Sequence, residues 1–122
     1  MGFPALPGIV RMIATGEAKV GPRGSLFPQG DPSEEAFQQQ VIDEAVLRGW
    51  HWYHTRDSRG SNEDYPDLTA WRADRLLFIE LKSETGTPTP GQLATLAALK
   101  ATGAETYLWW PKDWAEIERV LR

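Results

Sequence analysis

The stretch from Tyr65 to Ser83, YPDLTAWRADRLLFIELKS, is typical of a β-hairpin. Its second arm, residues 76–82, is apolar enough to be buried on both faces, yet it ends with Glu80 and Lys82. The first arm opens with Pro66-Asp67. Because an unpaired charge is costly to bury, the acids at the ends of these arms need a physical explanation.

The predicted hairpin brings the two acids together. Successive side chains of a strand point to opposite faces, so Glu80 and Lys82 share one face while the apolar residues 77, 79 and 81 share the other. A turn centred on Ala73-Asp74 places Asp67 opposite Glu80, with Cβ atoms roughly 4.5–5.5 Å apart. A slip of one residue would move Asp67 to the other face, so the prediction depends on this turn.

Three arrangements would relieve the repulsion between the two carboxylates. They are a structural salt bridge with Lys82, fraying of the strand ends into water, and a divalent cation held between Asp67 and Glu80 with Lys82 beside it. Mg²⁺ suits the third, because it prefers oxygen ligands and often uses one or two carboxylates plus water and substrate phosphate. We favour this third arrangement and expect Mn²⁺ to substitute for Mg²⁺.

A helix is predicted before the hairpin, from Pro32 to about Arg48. Asp31 suits the N-cap, Pro32 the first helical position and Glu34 the capping partner, while Gly49 suits the position after the helix. The pattern is that of a capping box followed by a glycine stop.

Helical periodicity then favours Glu35 as a candidate third metal ligand. It lies on the same side as Ile42 and Val46, which we expect to face inward, whereas Glu34 is occupied by capping. The alternative is that Glu35 is a first-turn acid favoured by the helix dipole.

The remaining elements complete the order α-β-β-β-α-β-α. We predict a strand at 50–55, a polar loop at 56–64, a helix at 90–102, a strand at 106–110 and a final helix from residue 111. Thr89 is the predicted N-cap of the second helix and Gly103 its stop; its predicted buried side is Leu93, Leu96 and Leu99. A strand-helix-strand unit implies a right-handed crossover and a parallel pair, so the fold class is α/β with a mixed sheet.

Composition limits the function classes. The chain of 122 residues is 41% hydrophobic, which suits one compact domain, 32–122, preceded by a Gly/Pro-rich N-terminal arm at 1–31. The arm is either flexible or packed on a partner.

The absence of Cys excludes disulfides and thiolate metal sites. The net charge of −4 argues against non-specific coating of nucleic acid but not against a nuclease with a clustered acidic site. The absence of a long apolar run predicts a cytoplasmic protein with no membrane partner.

Several short motifs together resemble a known family of nucleases. Pro66-Asp67 followed by Glu80-Leu81-Lys82 is similar to the PD-(D/E)xK signature of restriction-endonuclease-like nucleases. Further matching segments place the resemblance with the virus-type replication-repair nuclease (VRR-NUC) branch, over about 33–122: Glu35-Ala36-Phe37-Gln38, Gly49-Trp50, the segment 54–59, Pro66-Asp67-Leu68, Thr89-Pro90-Gly91-Gln92 and Trp110-Pro111. The branch includes stand-alone phage and bacterial dimeric Holliday-junction resolvases and the flap-cutting nuclease domain of the Fanconi-anaemia-associated nuclease.

The resemblance implies a restriction-endonuclease-like αβββαβ core, a mixed four-stranded sheet flanked by helices, with a C-terminal helix. It also implies site roles. Asp67, Glu80 and the backbone carbonyl of Leu81 would bind metal together with Glu35, and Lys82 would be catalytic. Gln92 would border the site, although a capping box with Thr89 explains it equally well.

The resemblance further implies a metal-dependent endonuclease that hydrolyses DNA phosphodiesters, in a bacterial or phage-infected cell. The first expectation is a homodimeric Holliday-junction resolvase; the alternatives are a flap, nicking or restriction-type nuclease, or a catalytically silent DNA-binding module. His54, Arg56 and Arg59 are the candidate DNA contacts, unless they belong to a solvated polar loop. One departure from the family is Asp64, which stands where the family usually has Gly.

Overall fold

The computed structural model describes residues 32–55 and 62–122. The predicted N-terminal arm, Asp31, Arg56 and Arg59 lie outside the described residues. The described elements are listed in chain order: α1 (Glu34–Leu47), β1 (His51–His54), β2 (Leu68–Arg72), β3 (Arg75–Leu81), α2 (Pro90–Lys100), β4 (Glu105–Trp109), a 3₁₀ turn (Pro111–Asp113) and α3 (Trp114–Leu121). This order confirms the predicted α-β-β-β-α-β-α arrangement.

The four strands form one mixed sheet in the order β1-β2-β3-β4. β1 and β2 are antiparallel, β2 and β3 are antiparallel, and β3 and β4 are parallel. The α2 helix makes the crossover between the two parallel strands and packs on both. The predicted mixed four-stranded sheet flanked by helices, with a C-terminal helix, is therefore confirmed.

The β2–β3 hairpin has the predicted register. Arg72 pairs with Arg75 across the two-residue turn, and Leu68 pairs with Ile79 at the other end of the ladder. Ala73 has a φ of 55°, in the left-handed region that tight turns require and non-glycine residues seldom adopt. The next pair beyond Leu68 and Ile79 is Asp67 and Glu80, as the turn at Ala73-Asp74 predicts.

One continuous core lies between the sheet and the helices α1 and α3. The alternate residues Leu77, Ile79 and Leu81 of β3 are all fully buried, which confirms the predicted apolar face of this strand. Their partners in the core come from α1, β2, β4 and α3, and include Phe37, Val41, Leu68, Ala70, Trp109, Ile117 and Leu121. Glu80, on the other face of β3, is also buried, at 2% exposure.

The start of α1 differs from the prediction. Ser33 is the N-cap, and its hydroxyl accepts a hydrogen bond of 3.1 Å from the Ala36 backbone N–H. The helix therefore begins two residues later than predicted, and Glu34 is its first residue rather than a capping partner. The end of α1 agrees with the prediction, because Gly49 follows it with a φ of 85°.

The second half of the chain largely follows the predicted boundaries. Thr89 caps α2, and Gly103 follows it with a φ of 97°. Leu96 is buried and Leu99 half-buried, but Leu93 is 48% exposed, so its predicted burial is wrong. Leu93 lies in the first turn of α2, one turn before the buried Leu96. None of the helices in 32–55 and 62–122 has the length and apolar character needed to span a membrane.

Two arginines at the β2–β3 turn tie the C-terminal helix to the sheet. Arg72 donates hydrogen bonds to the backbone carbonyls of Arg48, Leu121 and Arg122, at 2.8, 3.2 and 3.0 Å. Its guanidinium also lies 4.4 Å from the ring centroid of Trp50, within the range of a cation–π contact. One side chain thus satisfies carbonyls at the C-terminal ends of both α1 and α3.

Arg75 extends this cluster to β4. It forms a paired hydrogen bond with Glu105, at 2.8 and 2.7 Å, and donates to the Val120 carbonyl at 3.0 Å. The hydrogen bond from Arg75 holds the pKa of Glu105 below its usual range. Burial, with a hydrogen bond to Glu105, raises the pKa of Tyr107 to about 12. Nothing in the sequence pattern singles out either arginine, since both simply flank the turn at Ala73-Asp74.

Candidate active site

Asp67 and Glu80 meet where the β2–β3 ladder ends. Asp67 immediately precedes β2, and its Oδ2 accepts a hydrogen bond of 2.9 Å from the backbone N–H of Leu81. Glu80 lies beside Leu81 near the end of β3 and is 2% exposed. The two carboxyl groups are close enough to share a hydrogen bond when Glu80 is protonated. The predicted juxtaposition of these acids is therefore present.

The environment of Glu80 disfavours its charged form. Burial is the largest cause, and the negative charge of Asp67 adds to it, so that the pKa of Glu80 is raised to about 7. Lys82 acts in the opposite direction, through its charge and a hydrogen bond. Near pH 7 the Glu80 carboxyl is therefore partly protonated, and a bound cation could replace its proton.

Lys82 is the cation beside this pair. Its Nζ lies 3.4 Å from Oε2 of Glu80, and its side chain is 12% exposed. Its backbone N–H donates a bond of 3.0 Å to the carbonyl of Trp109 on β4. The ion pair of the first predicted arrangement is therefore present, and fraying into water is excluded by the burial of Glu80.

Glu34, rather than Glu35, comes from α1 to this site. Burial is the main reason that the pKa of Glu34 is raised, and the charge of Asp67 adds to it, while Lys82 and a hydrogen bond from the Ser83 backbone oppose it. Glu35 is exposed. The placement predicted for Glu35 is wrong because the inward side of α1 is the stripe of Phe37, Val41 and Ala45. Glu34 lies on that stripe, three residues before Phe37, and Glu35 does not.

The donor set fits one hard divalent cation. In 32–55 and 62–122, the charge of Asp67 raises the pKa of both Glu34 and Glu80, and the charge of Lys82 opposes it in each case. The single ammonium of Lys82 does not balance the negative charge of three carboxylates in this partly buried site. Within the same residues no three acidic or imidazole side chains have the spacing of a complete metal cage. Mg²⁺ does not need one, since one or two carboxylates with water suffice. The roles of these residues and of the Leu81 carbonyl stay predictions.

Gln92 has a structural role at the start of α2. Its Oε1 accepts a hydrogen bond of 2.9 Å from the Thr89 N–H, and its own N–H donates to the Thr89 hydroxyl at 3.0 Å. This is the capping box that the sequence predicts as the alternative to a catalytic role. Its predicted place at the border of the site stays a prediction.

Asp64 packs against the beginning of α2. Its carboxylate lies so close to Gly91 that a Cβ at this glycine would come within 2.6 Å of the carboxylate carbon. The Asp64 N–H donates to the side chain of Asn62 at 2.7 Å, which closes a turn before Tyr65. Asp64 thereby connects the segment that leads into Pro66-Asp67 with the first turn of α2.

Thr55 holds the backbone of the Pro66-Asp67 segment. Its N–H donates to the Asp67 carbonyl at 2.8 Å, and its hydroxyl donates to the Pro66 carbonyl at 2.9 Å. The sequence pattern includes Thr55 only as part of a matching segment and assigns it no role. His54, a candidate DNA contact, is half-buried at the end of β1 and pairs with Leu68.

No family model matches the chain, and no curated protein matches it. A match among solved structures is Hjc, a Holliday junction resolvase from the archaeal hyperthermophile Archaeoglobus fulgidus. The two chains are 23% identical, with a TM-score of 0.48, and the match covers 62% of this chain and 67% of that chain. A likeness at this level carries no argument about activity. The VRR-NUC resemblance stays a prediction, and function must be argued from the site itself.

Proposed function

We propose that this protein is a divalent-metal-dependent endonuclease that hydrolyses DNA phosphodiesters. One observation carries the proposal: Glu80 is 2% exposed, lies beside Asp67 at the end of the β2–β3 ladder and has the Nζ of Lys82 at 3.4 Å from its Oε2. Two adjacent carboxylates with one ammonium are costly to bury unless a cation or a substrate repays the cost. A divalent cation supplies the positive charge that balances these carboxylates, and a phosphodiester can then bind to that cation and to Lys82.

Each side chain has a role in the proposed reaction. Asp67 and Glu80 hold the cation, and the Leu81 N–H keeps the Asp67 carboxylate turned toward Glu80. When bound, the cation polarises the scissile phosphate and lowers the pKa of a water molecule. Lys82 stabilises the negative charge that develops on the phosphate oxygens. Glu34 restrains Lys82 from the α1 side through the attraction between their charges.

The substrate class within this proposal is branched DNA, with a Holliday junction as the first expectation and a homodimer as the active form. Support comes from the motif resemblance of Asp67, Glu80 and Lys82, and a two-fold junction suits a C2 dimer with two sites. His54, Arg56 and Arg59 are the proposed DNA contacts. They would form a basic rim beside the acidic site and offset the net charge of −4.

The chemistry is tested by the Glu80→Gln variant, which keeps the shape of the side chain but removes its charge. With Mg²⁺ or Mn²⁺, labelled DNA should be cut by the wild type, and EDTA should stop the reaction. Glu80→Gln should lower the rate by at least about 100-fold because an ion ligand is lost. Glu118→Gln on α3 is the matched control and should cut at the wild-type rate.

The substrate is tested by comparing a four-way junction, a flap, a nicked duplex and a linear duplex at equal concentration. A resolvase makes paired, symmetric cuts in the junction, and sedimentation should show a particle of twice 13.7 kDa. Preference for a flap or linear duplex would overturn the resolvase assignment in favour of the corresponding nuclease. DNA binding without cutting in either metal would overturn the enzyme assignment in favour of a silent binding module.

A further inference from the structure

We infer that Thr55 is a positioning residue that sets the direction of the Asp67 carboxylate for cation binding. The inference rests on the proposed function, because it concerns the same site. Thr55 directly follows β1, and Asp67 directly precedes β2. The two residues therefore face each other at the end of the β1–β2 ladder.

Thr55 fixes both peptide planes that flank the Cα of Asp67. Its hydroxyl donates to the Pro66 carbonyl, which belongs to the peptide before Asp67, at 2.9 Å. Its N–H donates to the Asp67 carbonyl, which belongs to the peptide after Asp67, at 2.8 Å. The φ and ψ angles of Asp67 describe the rotation of these two planes about its Cα. One residue thus restrains both angles.

A third bond restrains the Asp67 side chain itself. With the backbone held by Thr55, the Leu81 N–H binds Oδ2 at 2.9 Å and fixes the carboxylate against β3. Mg²⁺ accepts little departure from octahedral geometry, with oxygen ligands at about 2.0–2.1 Å. A small rotation of Asp67 would therefore weaken cation binding more than it would weaken folding.

The hydroxyl is separable from the ordinary pairing of the strands. The N–H bond to Asp67 continues the ladder in which His54 pairs with Leu68, and any residue except proline would make it. The bond from the hydroxyl to Pro66 requires Ser or Thr. Thr55→Val keeps the branched shape and the N–H but loses the hydroxyl, whereas Thr55→Ser keeps the hydroxyl.

Thr69 on β2 offers a matched control. Its hydroxyl is buried and forms no hydrogen bond within 32–55 and 62–122. Thr69→Val therefore makes the same chemical change two residues from Asp67 without removing a described bond.

The test measures Mn²⁺ binding by calorimetry in the absence of DNA, and then the Mg²⁺ concentration that gives half-maximal cutting. Thr55→Val should weaken Mn²⁺ binding by about 10-fold and raise the Mg²⁺ requirement equally, since partners of metal ligands typically change affinity by about 10–100-fold. Thr55→Ser should restore both values toward those of the wild type. Thr69→Val should match the wild type.

The outcomes separate this inference from the proposed function. A wild type that binds no Mn²⁺ would overturn the proposed metal site itself. Wild-type Mn²⁺ affinity in a folded Thr55→Val would overturn the positioning role alone, as would equal losses in Thr55→Val and Thr69→Val. If Thr55→Val does not fold, Thr55→Ala is compared with Thr55→Ser, and equal Mn²⁺ affinities in those two variants would overturn the inference.

Discussion

Glu80 is the side chain in which the conflict between burial and charge is sharpest. Its carboxyl is 2% exposed, and its pKa of about 7 means that the fold favours the protonated form below neutrality. The pKa of Glu34 is raised as well, for the same leading reason of burial. Both groups bind a proton more tightly in the folded chain than in the unfolded chain. Lowering the pH from about 8 to about 5 should therefore stabilise the metal-free protein.

The free energy of unfolding should fall as the pH rises from about 5 to 8 in EDTA. Between the ordinary pKa of 4.5 and the folded value of about 7, the unfolded chain has lost this proton and the folded chain still holds it, so raising the pH favours the unfolded state. The fall attributable to Glu80 is at most about 3.5 kcal/mol, at about 1.4 kcal/mol per pKa unit. Urea unfolding at several pH values measures it.

The control for this pH effect is again a pair of Glu→Gln variants. Glu80→Gln should remove most of the slope, whereas Glu118→Gln should leave it unchanged. A wild-type stability that is flat or increases between pH 5 and 8 would show that the Glu80 carboxyl is not held in its neutral form.

Gly91 and Asp64 form a second residue-scale pair, one that depends on the absence of a side chain. The carboxylate of Asp64 occupies the space that a Cβ at Gly91 would need. Alanine at position 91 would thus force the Asp64 carboxylate out of its position against α2. Elsewhere in a helix, Ala is more favourable than Gly by roughly 0.5–1 kcal/mol.

Gly91→Ala should therefore destabilise the wild type by about 1–2 kcal/mol through overpacking. In an Asp64→Gly background the same change should become neutral or stabilising, because the clash is gone and the helix preference remains. Thermal unfolding of the four proteins in this double-mutant cycle measures the coupling. Equal effects of Gly91→Ala in both backgrounds would mean that the two residues do not compete for space.

Among the elements, the β2–β3 hairpin could be predicted in detail from the sequence. Residues 77, 79 and 81 are apolar and alternate, which identifies the buried face of β3, and the short turn at Ala73-Asp74 sets the pairing of β3 with β2. Asp67 and Glu80 follow from that register alone. The central part of the candidate site is thus a local property of one hairpin.

The α1 helix could not be predicted to the same accuracy. Asp31 and Ser33 are both good N-caps, and choosing Asp31 assigns Glu34 to capping, which leaves Glu35 as the apparent candidate. Its apolar residues do not correct the error, since Val46 is 55% exposed although it is spaced as an inward residue. The contact between Glu34 and the hairpin depends on how α1 packs against the sheet, and the local sequence does not determine that packing.

The turn between β2 and β3 also acts as an anchor for the C-terminal helix. Arg72 donates to three backbone carbonyls and lies over Trp50. Arg72→Lys should lower the free energy of unfolding by about 1–2 kcal/mol, because an ammonium lacks the planar fork that reaches all three carbonyls. Urea denaturation measures the loss.

Arg119→Lys on α3 is the matched control for the Arg72 anchor. Arg119 is exposed, so this change should alter stability by less than about 0.5 kcal/mol. A loss of stability in Arg72→Lys no larger than in Arg119→Lys would contradict the anchoring role.

At the scale of the whole molecule, the sheet order decides which contacts the site depends on. Glu80, Leu81 and Lys82 stand at the end of β3, an inner strand with β2 on one side and β4 on the other. The β2 side is contributed by nearby sequence, but the β4 side comes from the far end of the chain. The Lys82 N–H, for example, requires the Trp109 carbonyl.

Because β3 pairs in parallel with β4, the parts of the site form in a fixed order during synthesis. The hairpin can close while the ribosome is still translating α2, but the strand that secures Lys82 is not complete until Trp109 has left the exit tunnel. Parallel pairs close long loops and form late. A half-made chain would then carry both acids before the Lys82 N–H has found the Trp109 carbonyl.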